Sequence, residues 1–476
     1  MTRIVVLGDA LLDVDVVGTV RRLCPDAPAP VVDDVVERAR PGGAALAAHL
    51  LALDGHEVVL VAPLADDDAA GRLLEALHGS VRVLAVPHDG ATPVKQRVCA
   101  GDRVLLRVDT GTVGSLAALP PQTRAALAEA DAVLVADYGL GLADQPDVRA
   151  AVAGLRRSVP VVWDPHPRGA RPVPGVRLVT PNLDEALGWA PRLGVDVPAT
   201  GRVGRLSRAC HAAPALVAAW ESGAVVVTVG DLGAVVSYGS GAPAVVPATE
   251  VRASDTCGAG DRFASAAAAA LAGGAVTSEA VQEAVRAAGA YVAAGGAAGL
   301  AGNPQPARHR QQARERQPGT VVSDVRRAGG TVVATGGCFD LLHAGHVETL
   351  RAARRLGDCL VVCMNSDESV RRLKGTGRPV VGQDDRRHLL EALADVDAVL
   401  VFDEDTPERV LRELRPDVWA KGGDYAGTDL PEAEVVASWG GDVVVLPYLR
   451  GRSTTDLVRT VTAGPAPAGS APVRTS

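Results

Sequence analysis

Short valine-rich runs alternate with alanine- and leucine-rich amphipathic segments along most of the chain, and this alternation constrains the fold more than any other feature. An apolar run without polar alternation suits a strand buried on both faces, and a helical crossover lets the next strand lie parallel to it. Strands are expected at residues 4–7, 58–62, 132–136, 159–163, 176–180 and 225–229, with helices between most of them. The pattern implies an α/β domain whose parallel sheet is covered on both faces. Residues 31–36, and the pair 95–99 and 104–107 around Gly101-Asp102, have hairpin character; a small sheet of this kind could cover a site as a lid.

The texture changes near residue 303. NPQPARHRQQARERQPG carries three prolines, many Arg and Gln, and almost no large apolar residue, which is linker composition. A new strand–helix alternation follows, with strands expected at 331–335, 359–364, 398–401, 418–420 and 443–446. A chain of 476 residues is long enough for two to three domains. The expected division is 1–302, a linker at 303–322, a second α/β domain at 323–460, and a disordered tail at 461–476 ending in AGPAPAGSAPVRTS.

A net charge of −8 excludes a general nucleic-acid binder. Seven scattered cysteines exclude a secreted disulfide framework. No apolar run reaches the roughly 18 residues of a membrane span; the longest, 264–272, stops at Gly273-Gly274 and reads as a buried helix. MTRIVVLGD has no signal-peptide pattern, so the expected location is the cytoplasm.

Two stretches carry chemistry. In SDTCGAGDRF, the small residues Gly258, Ala259 and Gly260 let backbone N–H groups approach an anion, and a helix follows with its positive end. Asp261 would repel a bound phosphate, but it is well placed to take a proton from a hydroxyl that attacks one. Taken alone, the four residues also fit a glycine turn that caps a helix. Polar residues at other strand ends join them: Asp9 and Asp13, Pro41-Gly42-Gly43, Asp137, Asp164, and Asn182 with Glu185 in TPNLDE. Each singly suits a cap or turn; the set does not. Lys95, Arg97 and Arg107 lie on the lid strands, with Lys95 and Arg97 on one face, as solvated charge or as partners for a second phosphate on the substrate.

The other stretch is TGGCFDLLHAGH, in which a strand ends in a glycine turn and two histidines lie three apart at a helix start. That spacing puts His343 and His346 on one face. Zinc is disfavoured, because the helical metalloprotease pattern spaces its histidines four apart and nothing completes a set with Cys338. Cys359 and Cys363, on an apolar strand, read as core thiols. Two partly cationic imidazoles at a helix N-terminus suit a triphosphate.

Residues 1–302 resemble the ribokinase-like sugar kinases, on GDALLD, PGGAA, TPNLDE and DTCGAGDRF in order. The resemblance implies a three-layer domain with a small β lid. It makes Asp261 the catalytic base and the backbone of Gly258, Ala259 and Gly260 an anion hole. Asn182 and Glu185 would place ATP and Mg²⁺, Glu185 acting on the metal indirectly. Asp9, Asp13, Gly42, Gly43, Lys95, Arg97 and Arg107 would face the sugar phosphate.

Residues 331–460 resemble the HxGH nucleotidyltransferases of the cytidylyltransferase-like branch, on HAGH with RLKG, KGGDY and GRSTTDL. This implies a Rossmann-like domain with His343 and His346 catalytic. Thr335, Gly336, Phe339, Asp340, Lys374, Lys421, Gly423, Asp424, Arg452, Ser453 and Thr454 would lie at the nucleotide. An attacking phosphate oxygen is already an anion, so the step needs charge neutralisation and no general base.

The order of the two parts, with CPDAPAPVV, NSDESVRRLKGTGRPV and EDTPERVLRELRPDVWAKGGDY, resembles the bifunctional heptose enzymes of ADP-heptose synthesis. The implied route phosphorylates D-glycero-β-D-manno-heptose 7-phosphate at O1. A separate phosphatase removes the 7-phosphate, and AMP is then transferred from ATP to the 1-phosphate. The implied partners are a sugar phosphate and ATP, without nucleic acid or membrane, and with a homodimer as the candidate assembly. Leu46 stands where the family usually has asparagine, and Leu140 and His166 where it usually has lysine. These departures surround the sugar, so another sugar phosphate or nucleotide (CTP, for example) stays open, as does one silent, nucleotide-binding domain.

Overall fold

RIVVLG forms strand β1 (Arg3–Gly8), whose residues from Ile4 onward are buried because both faces of its sheet are covered. The computed structural model describes residues 2–100, 103–195, 197, 204–249, 251, 255–299, 318–423 and 430–447. It divides into two units, Met1–Gln311 and Gln312–Ser476.

The first unit holds two sheets. Strands β2 (Ala10–Leu23), β3 (Pro30–Gly43), β6 (Val94–Ala100) and β7 (Arg103–Thr110) form the smaller one, in the order β3-β2-β6-β7. The larger contains β1, β4 (Glu57–Leu64), β5 (Arg82–Pro87), β8 (Ala132–Ala136), β9 (Val161–Asp164), β10 (Leu178–Val179), β11 (Val225–Thr228), β12 (Ala234–Ser237) and β13 (Ala244–Val246). Its order is β13-β12-β11-β10-β9-β8-β1-β4-β5. From β5 to β11 every pairing is parallel, as the apolar runs predict. The β12 and β13 pairings are antiparallel, which corrects the wholly parallel expectation. The connection from β11 to β12 is a single turn, Gly230–Leu232, closed by Gly233 at φ 95°, and it is too short for a crossover. Strand β2 was not expected as a strand at all.

Alanine-rich helices Ala44–Leu53, Ala259–Ala272 and Thr277–Ala293 supply much of the core against this sheet. Small side chains let these helices pack closely, and burial of their leucines and of the strand valines contributes about 1.5–3 kcal/mol each.

The second unit is one parallel sheet of β14 (Val332–Gly337), β15 (Cys359–Asn365), β16 (Ala398–Phe402), β17 (Val418–Gly422) and β18 (Asp442–Leu446). The order is β16-β15-β14-β17-β18. Cys359 and Cys363 are free and buried, and burial pushes their thiols up to about 11 and about 12. Residues 318–322, expected as linker, belong to the helix Pro318–Arg327, and Val321 and Val322 join this unit's core. Residues 303–317 and the expected tail lie outside the described residues. No helix among the described residues is long and apolar enough to cross a membrane.

Candidate active sites

In the first unit, β1 ends at Gly8, where a Cβ would lie 2.1 Å from the Ala136 carbonyl oxygen; the chain can pass there only without a side chain. Asp9 follows, with no exposure. It accepts the backbone N–H groups of Tyr138 (3.0 Å), Leu140 (2.9 Å) and Leu142 (3.3 Å). Both oxygens are committed to main chain. Asp9 therefore shapes the 138–142 loop. Asp137 acts similarly, accepting from Gly139 at 2.8 Å and Ala170 at 2.7 Å.

That loop sets Tyr138 against Asp261, and the tyrosine hydroxyl donates to Asp261 Oδ1 at 2.6 Å. Asp261 stands in the first turn of the Ala259–Ala272 helix and is 7% exposed. Burial pushes its carboxyl up to about 7; the Tyr138 bond opposes this, Asp13 and Glu185 add to it, and Lys95 opposes it. Gly258 opens the helix at φ 80°, where a Cβ would lie 2.6 Å from Tyr291 Oη and 2.7 Å from Leu46 Cδ2. Ala259 N–H is engaged by the Thr256 carbonyl at 3.1 Å. The amides of Gly260 and Asp261 lack intrahelical partners by position, and a Cβ on Gly260 would meet nothing within 4 Å. The expected anion hole thus centres on Gly258, Gly260 and Asp261, more than on Ala259.

The small sheet brings opposite charges into register, Asp13 beside Lys95 and Asp15 beside Arg97. Arg97 Nε lies 2.9 Å from Asp15, which Arg40 also grips, while an Arg40 nitrogen is 3.8 Å from Asp13. Burial pushes Asp13 up to about 6, against the attraction of Lys95 and Arg97. Lys95 Nζ lies 4.9 Å above the Tyr138 ring. Arg107 is exposed and held at 2.7 and 2.6 Å by Asp109, two residues along its own strand, with its charge felt at Asp13. Gly42 and Gly43 make room. A Cβ on Gly42 would be 2.8 Å from the Asp13 carboxyl carbon, and one on Gly43 2.7 Å from the Asp9 carbonyl oxygen. Leu46 packs with Tyr291, whose hydroxyl has no partner among the described residues.

Asn182 and Glu185 form a capping box on the helix Leu183–Trp189. Glu185 N–H donates to Asn182 Oδ1 at 2.9 Å, and Asn182 N–H to Glu185 Oε2 at 2.8 Å. Both line a cavity of about 430 Å³ with His166, Asp184, Arg205 and Gly230. Burial pushes Glu185 up to about 7; it also pushes Asp164 well up, and the Glu185 charge adds to the Asp164 shift. Tyr138 and Tyr291 were missed in the sequence, although Tyr138 sits directly after a strand-end aspartate.

In the second unit, β14 ends in a tight loop where Phe339 (φ 47°) and Leu341 (φ 56°) take left-handed backbone. His343 then caps the helix Ala344–Arg354, its Nδ1 accepting the Gly345 N–H at 3.1 Å. That bond leaves the proton of a neutral His343 on Nε2, as a donor. The His343 and His346 rings stack with centroids 4.0 Å apart, and Phe339 tilts against His346 at 5.6 Å. Burial, then His343, then Lys374 push His346 down to about 4. These surroundings disfavour the cationic form of His346. Lys374 is exposed at the end of its helix, with its charge felt at His346.

Thr335 is buried on β14, and a Cβ on Gly336 would lie 2.4 Å from the Trp419 ring, so this glycine serves packing. Asp340 is 3% exposed. It accepts the N–H groups of Val380 (2.9 Å) and Val381 (3.1 Å), and Arg378 lies 2.6 Å away. It tethers the 378–381 segment. Lys421 Nζ is 2.5 Å from buried Glu432, and Gly423 (φ 135°) donates to the Leu446 carbonyl at 3.3 Å. Asp424, Arg452, Ser453 and Thr454 lie outside the described residues. Among the described residues no group of three or more His, Cys, Asp or Glu could hold a metal.

Arg386, which the motifs did not single out, has no exposure and braces this site. It donates to the carbonyls of Cys338, Asn365 (2.9 Å) and Val381 (3.0 Å) and to the Asp367 carboxylate (2.6 Å). Arg386→Ala is expected to destabilise the second unit by about 3–5 kcal/mol, because it strands these acceptors. The check is heat inactivation: pyrophosphate release should fail at a lower temperature than in the wild type, with sugar phosphorylation lost at the wild-type temperature.

These two centres and their folds define a carbohydrate kinase joined to a nucleotidyltransferase. The pfkB family carbohydrate kinase profile matches residues 1–304, and the cytidylyltransferase-like profile matches 334–445. Full-length relatives share both parts. The bifunctional protein HldE of Streptomyces coelicolor is 55% identical over 462 residues, with 96% of each chain covered. That of Gluconobacter oxydans is 36% identical over 481 residues, covering 97% of this chain and 98% of its own. The chain belongs to the bifunctional HldE family. Among solved structures, the tetrameric inhibited form of phosphofructokinase-2 from Escherichia coli is 20% identical, with a TM-score of 0.48 over 63% of this chain and 97% of that one.

Proposed function

We propose that the first unit transfers the γ-phosphoryl group of ATP to O1 of D-glycero-β-D-manno-heptose 7-phosphate, and that the second transfers AMP from ATP to heptose 1-phosphate, releasing pyrophosphate and ADP-heptose. The observation that carries the kinase reading is a buried carboxylate, Asp261, in the first turn of a helix whose opening amides have no intrahelical partners, beside a Gly260 with open space where a side chain would be. Asp261 takes the proton from O1–H as that oxygen bonds to the γ-phosphorus and ADP leaves. The amides of Gly258, Gly260 and Asp261 stabilise the charge on the transferring group. Lys95 and Arg97, on the lid face beside Asp13 and Asp15, suit the phosphate already on the sugar.

Asp164 and Glu185 are hard oxygen donors whose ionised forms burial and mutual repulsion disfavour, a setting that a divalent cation relieves. They would hold Mg²⁺, which supplies charge neutralisation between the ATP phosphates. In the second unit an oxygen of the sugar 1-phosphate attacks the α-phosphorus, and the bond to the leaving pyrophosphate breaks. His343 Nε2–H and Lys374 are placed to neutralise that charge.

The apolar packing of Leu46 against Gly258, beside a Tyr291 hydroxyl without a partner among the described residues, favours a second reading in which a different sugar phosphate is the substrate. The proposed setting is the cytoplasm, with a homodimer as the assembly. Mass spectrometry of products from the full chain, given ATP or CTP and a panel of seven- and six-carbon sugar phosphates, tests both readings. Heptose 1,7-bisphosphate and ADP-heptose are expected; turnover confined to a six-carbon substrate or to CTP would overturn the first.

A further inference from the structure

We infer that Tyr138 is a positioning residue for phosphoryl transfer, its hydroxyl orienting Asp261 and its ring registering the lid through Lys95. This rests on the reading of Asp261 as the base. Asp261 Oδ1 accepts the Tyr138 hydroxyl at 2.6 Å, so Oδ2 is the oxygen turned to the acceptor hydroxyl. A carboxylate free to rotate would spend much of its time misaligned, and fixing one oxygen removes that freedom.

Tyr138 is itself held. Its N–H donates to buried Asp9 at 3.0 Å, and its ring edge would lie 3.3 Å from a Cβ on Gly43. The closeness of Gly43 explains part of the demand for a glycine there. The other contact comes from the small sheet: Lys95 stands on β6, with its ammonium 4.9 Å above the ring. One aromatic side chain therefore touches both the base and the strand that carries the cation proposed for the sugar phosphate.

The phenol cannot replace Asp261 as base. Burial, then the negative charges of Asp261 and Asp164, keep its proton in place, so Tyr138 remains a donor. The groups that act on Asp261 are Tyr138, Asp13, Lys95 and Glu185, and Asp164, Cys257 and Tyr291 feel its charge in turn. Among these, Tyr138 is the one bonded to the carboxylate at a short distance.

The test separates the hydroxyl from the ring in the full chain. Tyr138→Phe keeps the ring and should lower the kinase kcat by about 10- to 100-fold, the worth of a hydrogen bond to a charged group. Its KM for the sugar phosphate should stay within about twofold, the expectation for a loss confined to the transition state. Tyr138→Leu also removes the surface beneath Lys95 and should raise that KM several-fold. An unchanged melting transition of the first unit certifies the fold, and adenylyl transfer by the same preparations, which belongs to the second unit, should be unchanged. Wild-type kcat in Tyr138→Phe, or a change in its KM alone, overturns the inference. Those outcomes beside an inactive Asp261→Asn leave the base assignment standing, whereas an active Asp261→Asn sinks that assignment itself. If Tyr138→Phe is not obtained folded, Lys95→Met decides: a raised KM for the sugar phosphate together with a lowered kcat is expected, and wild-type kinetics overturns the coupling.

Discussion

Asp261→Asn lowers the kinase turnover number by about 10²- to 10⁴-fold, the usual contribution of a positioned general base, and leaves adenylyl transfer at its wild-type rate. ADP release and pyrophosphate release, measured on one preparation, check the two halves. The amide retains an acceptor for Tyr138, so the loss isolates proton transfer from packing. If both activities fell together in folded protein, the two-centre arrangement would be wrong. The same carboxyl sets a pH dependence. It is pushed up to about 7, and only its ionised form can take a proton. Wild-type kinase kcat/KM should therefore fall as pH drops through about 7.

The stability consequence has the opposite sense. A carboxyl whose folded pKa exceeds its unfolded value binds more protons when folded. Its contribution favours the fold at acid pH and is lost as pH rises from the ordinary carboxyl value of 3.8 through about 7. Asp261→Asn removes that penalty, so the variant should melt higher than the wild type at pH 8 and gain less, or nothing, at pH 4. A site tuned for base catalysis lowers the stability of its own domain.

His343→Ala does the reverse in activity. Adenylyl transfer should drop by about 10²- to 10³-fold, the worth of one donor aimed at developing phosphate charge, with kinase turnover unchanged. His343 also caps its helix through Nδ1, so the alanine variant loses about 1 kcal/mol of helix stability as well. His343→Asn separates the two effects, because asparagine is a good N-cap but lacks the imidazole Nε2–H. Asn should restore thermal stability without restoring pyrophosphate release. Recovery of both would assign His343 to capping alone.

Much of the scaffold was legible because buried parallel strands advertise themselves: β1, β4 and β8 are unbroken apolar runs, and so are β14 and β15. Strand β2 was not legible. Its DVDVV segment puts acids on alternate residues, and one of them, Asp13, drew attention as a site group when the pair also marks a strand with one polar face. The motifs point to both centres without revealing what holds their neighbours. Asp9 and Asp340 sit beside the right glycines, yet sequence does not reveal the backbone amides that occupy them. Tyr138 lies 123 residues from Asp261, and Arg386 gathers partners from three segments, two of them distant in the chain, around Cys338 and at Asn365–Asp367; no local spacing encodes those meetings.

The two left-handed residues at Phe339 and Leu341 have a consequence for affinity. Neither is glycine, so each holds its backbone at a cost of about 1–3 kcal/mol unless its surroundings compensate. The tether from Asp340 and the brace from Arg386 to the Cys338 carbonyl keep that loop in place before any nucleotide arrives. Ordering entropy is then charged to folding and not to binding, so the nucleotide meets a rigid receptor. Loosening Arg386 should accordingly weaken nucleotide affinity even at temperatures where the second unit stays folded.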